Sequence, residues 1–174
     1  MEFFNNGLHD SLTHAPAPAI FLEKLAREFS SARRDFRTLA LLSLQAYDVP
    51  EISIGELEMV ALARAIEKSL RSDEFYSRIS ESGFWIAIRG DKEDALALQR
   101  RVAGNLRFQE ITTREITTRE ITTREITTQE LAEKGQKQRW LASVIECEPS
   151  VELTTLEDWI QSVDRIHFPG GSTS

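Results

Sequence analysis

Two short apolar runs, Tyr76 to Ile79 and Phe84 to Arg89, flank the polar stretch Ser80-Glu81-Ser82-Gly83. In the second run Phe84, Ile86 and Ile88 alternate with Trp85, Ala87 and Arg89, a period of two that predicts a strand with one face wholly apolar and the other mostly so. Together the runs predict an antiparallel hairpin over 75–90. Upstream, Leu22, Leu25, Ala26, Phe29 and Ala32 recur at three- and four-residue spacings from Ala19 onward, the stripe of an amphipathic helix. Pro18 just inside its start suits a position that needs no backbone donor. Thr38 to Tyr47 is almost continuously apolar and stops short of Pro50, which predicts a central strand buried on both faces.

The same reasoning continues down the chain. Gly55 to Leu70 sets Leu57, Val60, Ala61, Ala63, Ala65, Ile66 and Leu70 on a broad apolar helix face. Asp91 to Leu106 predicts another helix, with Asp91 as N-cap, Glu93 and Asp94 in the first turn, and Ala95, Leu96, Leu98, Val102 and Leu106 turned inward. Trp140 to Cys147 predicts a strand, and Thr154 to Ile166 a last helix with Leu156, Trp159, Ile160 and Val163 inward. Helices and strands in this order describe an α/β sheet protein with one hairpin in its middle.

Glu110 to Gln129 breaks the pattern, because Glu-Ile-Thr-Thr-Arg recurs there with a five-residue period. In a helix each copy would rotate its isoleucine by about 140°, and in a strand an odd period sends successive isoleucines to opposite faces, so neither form gives a packed side. Glu110 with Arg114, Glu115 with Arg119 and Glu120 with Arg124 are helix-compatible pairs of a few tenths of a kcal/mol each. The stretch 110–130 is therefore expected to be a surface insertion.

A formal charge of −7 and a pI near 5.1 argue against nucleic acid or an anionic membrane surface as partners. No apolar run is long enough to span a bilayer, and Met1 to Asp10 has no basic-then-apolar signal pattern, so the expected location is the cytoplasm. A single cysteine, Cys147, excludes an internal disulfide or a cysteine metal cluster and reads as a small core residue.

Several words along this chain resemble those of the GGDEF domain, the diguanylate cyclase fold. Asp10-Ser11-Leu12-Thr13 is similar to the family's D-x-L-T motif, and Phe21 and Leu25 follow at the family's spacing. His14 stands where the family has Gly, and Ala17-Pro18 where it has Asn-Arg. Leu39 to Asp48 falls on the strand carrying D-x-D-x-F-K, and Arg78 to Phe84 on R-x-G-G-D-E-F. Ser143-Val144 resembles the S-I-G strand, and Val163 to Phe168 resembles A-D-x-A-L-Y. The resemblance implies a central mixed sheet of about five strands flanked by helices. The aperiodic, Asn-, Gly- and Pro-punctuated start reads as an N-terminal lead-in over 1–18, and Pro169-Gly170-Gly171 as the start of a disordered tail over 169–174, which leaves one degenerate GGDEF-like domain over 19–168.

Condensing two GTP molecules into cyclic di-GMP needs divalent ions held by acidic side chains. In the family these come from the first Asp of the D-x-D strand and from the acids of the turn. Here the matching residues are Ser43, Ser82 and Gly83, none a carboxylate. Ser80 and Glu81 replace the paired glycines, so Glu81 brings a negative charge where a triphosphate would lie. Gln45 and Asp48 stand where a second Asp and a phosphate-binding Lys are expected, and Glu56 where an Asp reads guanine. Of the G-G-D-E-F positions, Phe84 alone keeps the family's residue. The expectation is a protein that is not an enzyme and has no metal site or cofactor.

One further motif resembles a ligand site. The family's inhibitory R-x-x-D has its counterpart in Arg71 and Glu74, with Arg78 following. Arginine can grip phosphate and stack on guanine, and a carboxylate can accept from guanine's N–H groups. The leading expectation is a non-catalytic regulatory or protein-interaction module with an unidentified protein partner in cyclic di-GMP-related signalling. The alternatives are a cyclic di-GMP receptor through Arg71, Glu74 and Arg78, and an active cyclase, which the missing carboxylates oppose.

Overall fold

The computed structural model describes residues 5–46, 55–108, 140–147, 156–157 and 159–160. Helix α1 (Pro18–Arg34) leads into strand β1 (Leu39–Ala46), helix α2 (Glu56–Ser69), the strands β2 (Phe75–Arg78) and β3 (Gly83–Ile88), helix α3 (Lys92–Phe108) and strand β4 (Trp140–Cys147). The repeat over 110–130, the tail over 169–174 and Asp48 lie outside the described residues, as does most of the expected last helix.

The helix starts follow from their sequences. Pro18 opens α1. At α2 the Gly55 N–H donates to the Glu58 carboxylate at 3.0 Å and the Glu58 N–H donates to the Gly55 carbonyl at 3.1 Å, satisfying groups a helix start leaves bare. Asp91 accepts from the N–H groups of Glu93 and Asp94 at 2.9 and 3.1 Å, so it caps α3.

The strands order as β2-β3-β1-β4, and every neighbouring pair is antiparallel. Of the expected mixed sheet of about five strands, the described residues hold four, with no parallel neighbours among them. The cause is the pair of helical crossovers. Each returns the chain to run in the same direction as before, but one strand away, so β3 lies between β1 and β2, and β1 lies between β3 and β4. This is the split βαβ arrangement, repeated once.

β1 is buried on both faces, which explains its unbroken apolar run. Leu42 and Leu44, with Phe84, Ile86 and Ile88, pack under Met59, Leu62 and Ile66 of α2 and Leu98 and Val102 of α3. On the other face Leu39, Leu41, Trp85 and Ala87 meet Phe21, Leu25 and Phe29 of α1 and Trp159. Trp159 stacks on Phe29 with ring centroids 5.6 Å apart, and Leu156 and Ile160 pack partly buried beside it. Two helix faces are rotated from the sequence expectation. Leu22 and Leu57 are exposed while Phe21, Met59 and Leu62 are buried, because α1 presents its Phe21, Leu25 and Phe29 line to the sheet and Leu57 lies on the side of α2 that carries the exposed Arg64 and Lys68.

Candidate functional site

The hairpin turn is closed by the Ile79 N–H donating to the Gly83 carbonyl at 2.9 Å. Arg78, the last residue of β2, braces it from inside. Its guanidinium is wholly buried, donates to the Glu81 carbonyl at 2.7 Å, and reaches both carboxylate oxygens of Asp10 at 3.2 and 3.1 Å. Asp10 is equally buried and also accepts from the Thr13 N–H and hydroxyl, at 2.8 and 2.6 Å. A carboxylate with this many donors can stay charged in the interior. The lead-in segment is thus bolted to the turn. It is held again where Ser77 donates its hydroxyl to the Pro16 carbonyl at 2.7 Å. Beside this pair, Tyr76 has its phenol pushed up to about 12, first by burial and then by the nearby charges of Glu67 and Asp10.

The end of β1 faces the turn. Register pairs Gln45 with Gly83, Leu44 with Phe84 and Ser43 with Trp85, which puts Ser43, Gln45 and Gly83 on the α1 side of the sheet. The Gln45 amide donates to the Ser82 hydroxyl. A Cβ placed on Gly83 would lie 2.5 Å from Gln45 Oε1 and 2.8 Å from Ser80 Oγ, so Gln45 occupies the space a side chain at position 83 would need. Ser43 is buried on the central strand, whereas Glu81 is exposed at the tip.

The candidate ligand residues do not converge. Glu74 is buried, and its carboxylate accepts from Arg101 Nη2 on α3 at 3.1 Å to each oxygen and from the Arg71 N–H at 2.7 Å. Arg101 also donates from Nε to the Ser69 carbonyl at 3.1 Å, a cation at the C-terminal end of α2 where the dipole favours it. Arg71 is exposed, and Arg78 is enclosed beside Asp10. Of the three, Arg71 alone offers an open charged group.

Neither a protein-family model nor a curated protein matches the sequence. Solved structures do match the fold. The chain is similar to the diguanylate cyclase SiaD of Pseudomonas aeruginosa, solved in complex with its activator SiaC, at 22% identity and a TM-score of 0.60, covering 91% of this chain and 55% of SiaD. It is also similar to the GGDEF domain of YfiN from Pseudomonas aeruginosa, at 17% identity and a TM-score of 0.62, covering 92% of this chain and 87% of that one. The GGDEF domain of DgcB from Caulobacter crescentus, solved in complex with cyclic di-GMP, gives 13% identity and a TM-score of 0.62 over 95% of this chain and 91% of its own. The chain has the GGDEF fold.

In a GGDEF fold the hairpin turn and the end of the central strand are the places that the resemblance assigns to metal and phosphate. The side chains there are the hydroxyls of Ser43, Ser80 and Ser82, the carboxamide of Gln45 and, exposed at the tip, the carboxylate of Glu81. Hard divalent cations are held by several oxygen ligands, chiefly carboxylates, so a set with a single exposed carboxylate does not fit the ions the fold family implies. Three residues of the GGDEF scaffold escaped the sequence reading as site elements. Asp10 was legible only as part of a motif, not as the partner of Arg78. Arg101 gave no signal, because an arginine on a helix face usually points to solvent. Gln45 is legible in the sequence only as a replaced acid; its contact with the turn could have been found from register, since pairing the strand end with the turn places it opposite Gly83.

Proposed function

We propose that this chain is a non-catalytic GGDEF-like domain that works as a regulatory or protein-interaction module in cyclic di-GMP-related signalling. The observation that carries this reading is the Gln45 to Ser82 contact across the strand end and the turn, at the positions where the GGDEF resemblance puts acids. The neutral Gln45 and Ser82 do not supply the carboxylates that hold a divalent ion, and the nearby Glu81 adds to the charge of a triphosphate rather than offsetting it. The bolt between Asp10 and Arg78 keeps the turn's scaffold in place without that chemistry. A partner of protein type is supported by the similarity to SiaD, a cyclase solved with its activator. The cytoplasm, where a GGDEF module would meet such partners, is the proposed location; among the described residues no helix is long and apolar enough to cross a membrane.

The receptor reading draws on DgcB, solved with cyclic di-GMP, and on the exposed guanidinium of Arg71. It is the weaker reading, because Glu74 and Arg78 are engaged by Arg101 and Asp10. Incubation of the purified chain with GTP and Mg or Mn, followed by chromatography, is expected to give no cyclic di-GMP. Product that disappears with Glu81→Ala would overturn the non-catalytic reading. Calorimetric titration with cyclic di-GMP decides the alternative: heat lost in Arg71→Ala would favour the receptor over the interaction module.

A further inference from the structure

Far from the hairpin turn, at the opposite end of the sheet, α1 ends in an unusual way. Arg37 N–H donates to the Ala32 carbonyl at 2.8 Å and Phe36 N–H to the Arg33 carbonyl at 3.4 Å, which closes the helix in a Schellman-type turn. The residue after the C-cap in such a turn adopts a left-handed backbone and is usually Gly. Here it is Phe36, with φ of 52° and a side chain 82% exposed. The fold therefore holds a bulky residue in a disfavoured conformation that gains almost no packing among the described residues.

The surroundings of Phe36 carry both signs of charge. Arg33, Arg34 and Arg37 surround it against one acid, Asp35. The next two residues, Arg37 and Thr38, line a cleft of about 460 Å³. Asp73, Asp91 and Asp94 stand around that cleft, and Glu28 is paired with Arg89 on its wall at 2.7 and 2.5 Å. Ala32 and the buried Leu39 give it an apolar component.

We infer that this end of the molecule is a self-complementary surface on which a second copy of the chain docks, each Phe36 entering the partner's cleft and each arginine cluster meeting the partner's Asp73, Asp91 and Asp94. A basic aromatic knob beside an acidic hole on one surface is what a two-fold contact requires, since rotation brings each knob to the other hole. Exposed Phe and Arg side by side match the composition by which interfaces differ from the rest of a protein surface. The contact lies away from the hairpin turn and holds whether or not that turn binds a nucleotide.

Sedimentation velocity of the full chain from about 1 to 200 μM tests it, a range that brackets a micromolar dissociation constant. The expected result is a concentration-dependent dimer. Phe36→Gly is expected to weaken association at least about tenfold while keeping or raising the unfolding temperature, because Gly suits the left-handed position. Arg34→Glu is expected to weaken it too, and Asp73→Arg added to Arg34→Glu to restore it. A monomer across the whole range would overturn the inference. So would a dimer indifferent to Phe36→Gly, or one that Asp73→Arg fails to rescue.

Discussion

Asp10 and Arg78 lie 68 positions apart in the chain and form an ion pair in which neither side chain is exposed. The pair joins the lead-in segment to the hairpin, and Arg78 continues to the Glu81 carbonyl. Removing one partner leaves the other charge buried, a loss of about 3–5 kcal/mol. Arg78→Met should therefore destabilise the fold by that amount in urea denaturation. The double variant Asp10→Leu with Arg78→Met should cost much less than the sum of the two single changes. Additive losses would show that the two charges do not depend on each other.

His14 occupies the position where the D-x-L-T motif of the GGDEF resemblance continues with Gly. Its φ is 60° and its side chain is exposed, so the backbone there has the left-handed form that Gly adopts without a Cβ clash. Relief of that clash exceeds the extra chain entropy Gly brings to the unfolded state. His14→Gly should stabilise the protein by about 0.5–1 kcal/mol, and His14→Val should destabilise it. Thermal unfolding of both variants checks the sign, and a loss of stability in His14→Gly would contradict the strain argument.

Glu28 on α1 receives two hydrogen bonds from Arg89 at the end of β3. These bonds, followed by the charges of Arg89, Lys24 and Arg37, hold its carboxyl below the ordinary glutamate range, although burial acts the other way. A pKa lowered by folding stabilises the native state above the unfolded value, about 4.3, and that stability is lost as pH falls through the folded value. The stability gap between the natural chain and Glu28→Gln should thus be steady near neutral pH and shrink below about pH 4.3. Melting curves from neutral pH to about pH 3 measure it; a gap that does not change would mean that Glu28 contributes nothing through its charge.

Much of this architecture is legible in the apolar pattern because each element buries a regular stripe. β1 is continuous in Leu and Ala since both its faces are covered, and α3 exposes its period through Ala95, Leu98, Val102 and Leu106, all buried. Strand order is not written in any one strand: it depends on where two crossover helices set the chain down. The exposure of Leu57 is within reach of the pattern: it shares a side of α2 with Arg64 and Lys68, both exposed, opposite the buried Met59, Leu62 and Ile66. At the site, the loss of acids at Ser43, Ser82 and Gly83 could be read from the motif, but the burial of Arg78 could not, since its partner lies in a distant segment with no periodicity.

Gln45 and Gly83 face each other across β1 and β3, and their fit limits any attempt to return a side chain to the turn. A Cβ at position 83 would meet Gln45 Oε1 at 2.5 Å, closer than real atoms tolerate, so the amide would have to swing away and release Ser82. Gly83→Ala should accordingly cost about 0.5–1.5 kcal/mol, the worth of a typical hydrogen bond. In a Gln45→Ala background the nearer obstruction and the hydrogen bond are gone, and only the Ser80 hydroxyl, 2.8 Å from that Cβ, must still turn aside. There the same change should cost less than in the natural chain and approach neutrality, because Ala loses less chain entropy than Gly in a strand. A double-mutant cycle by denaturant unfolding should show coupling of about 1 kcal/mol or more. If Gly83→Ala has the same effect in both backgrounds, Gln45 does not fill the space beside the turn, and the acid at position 83 could be restored without changing the strand opposite.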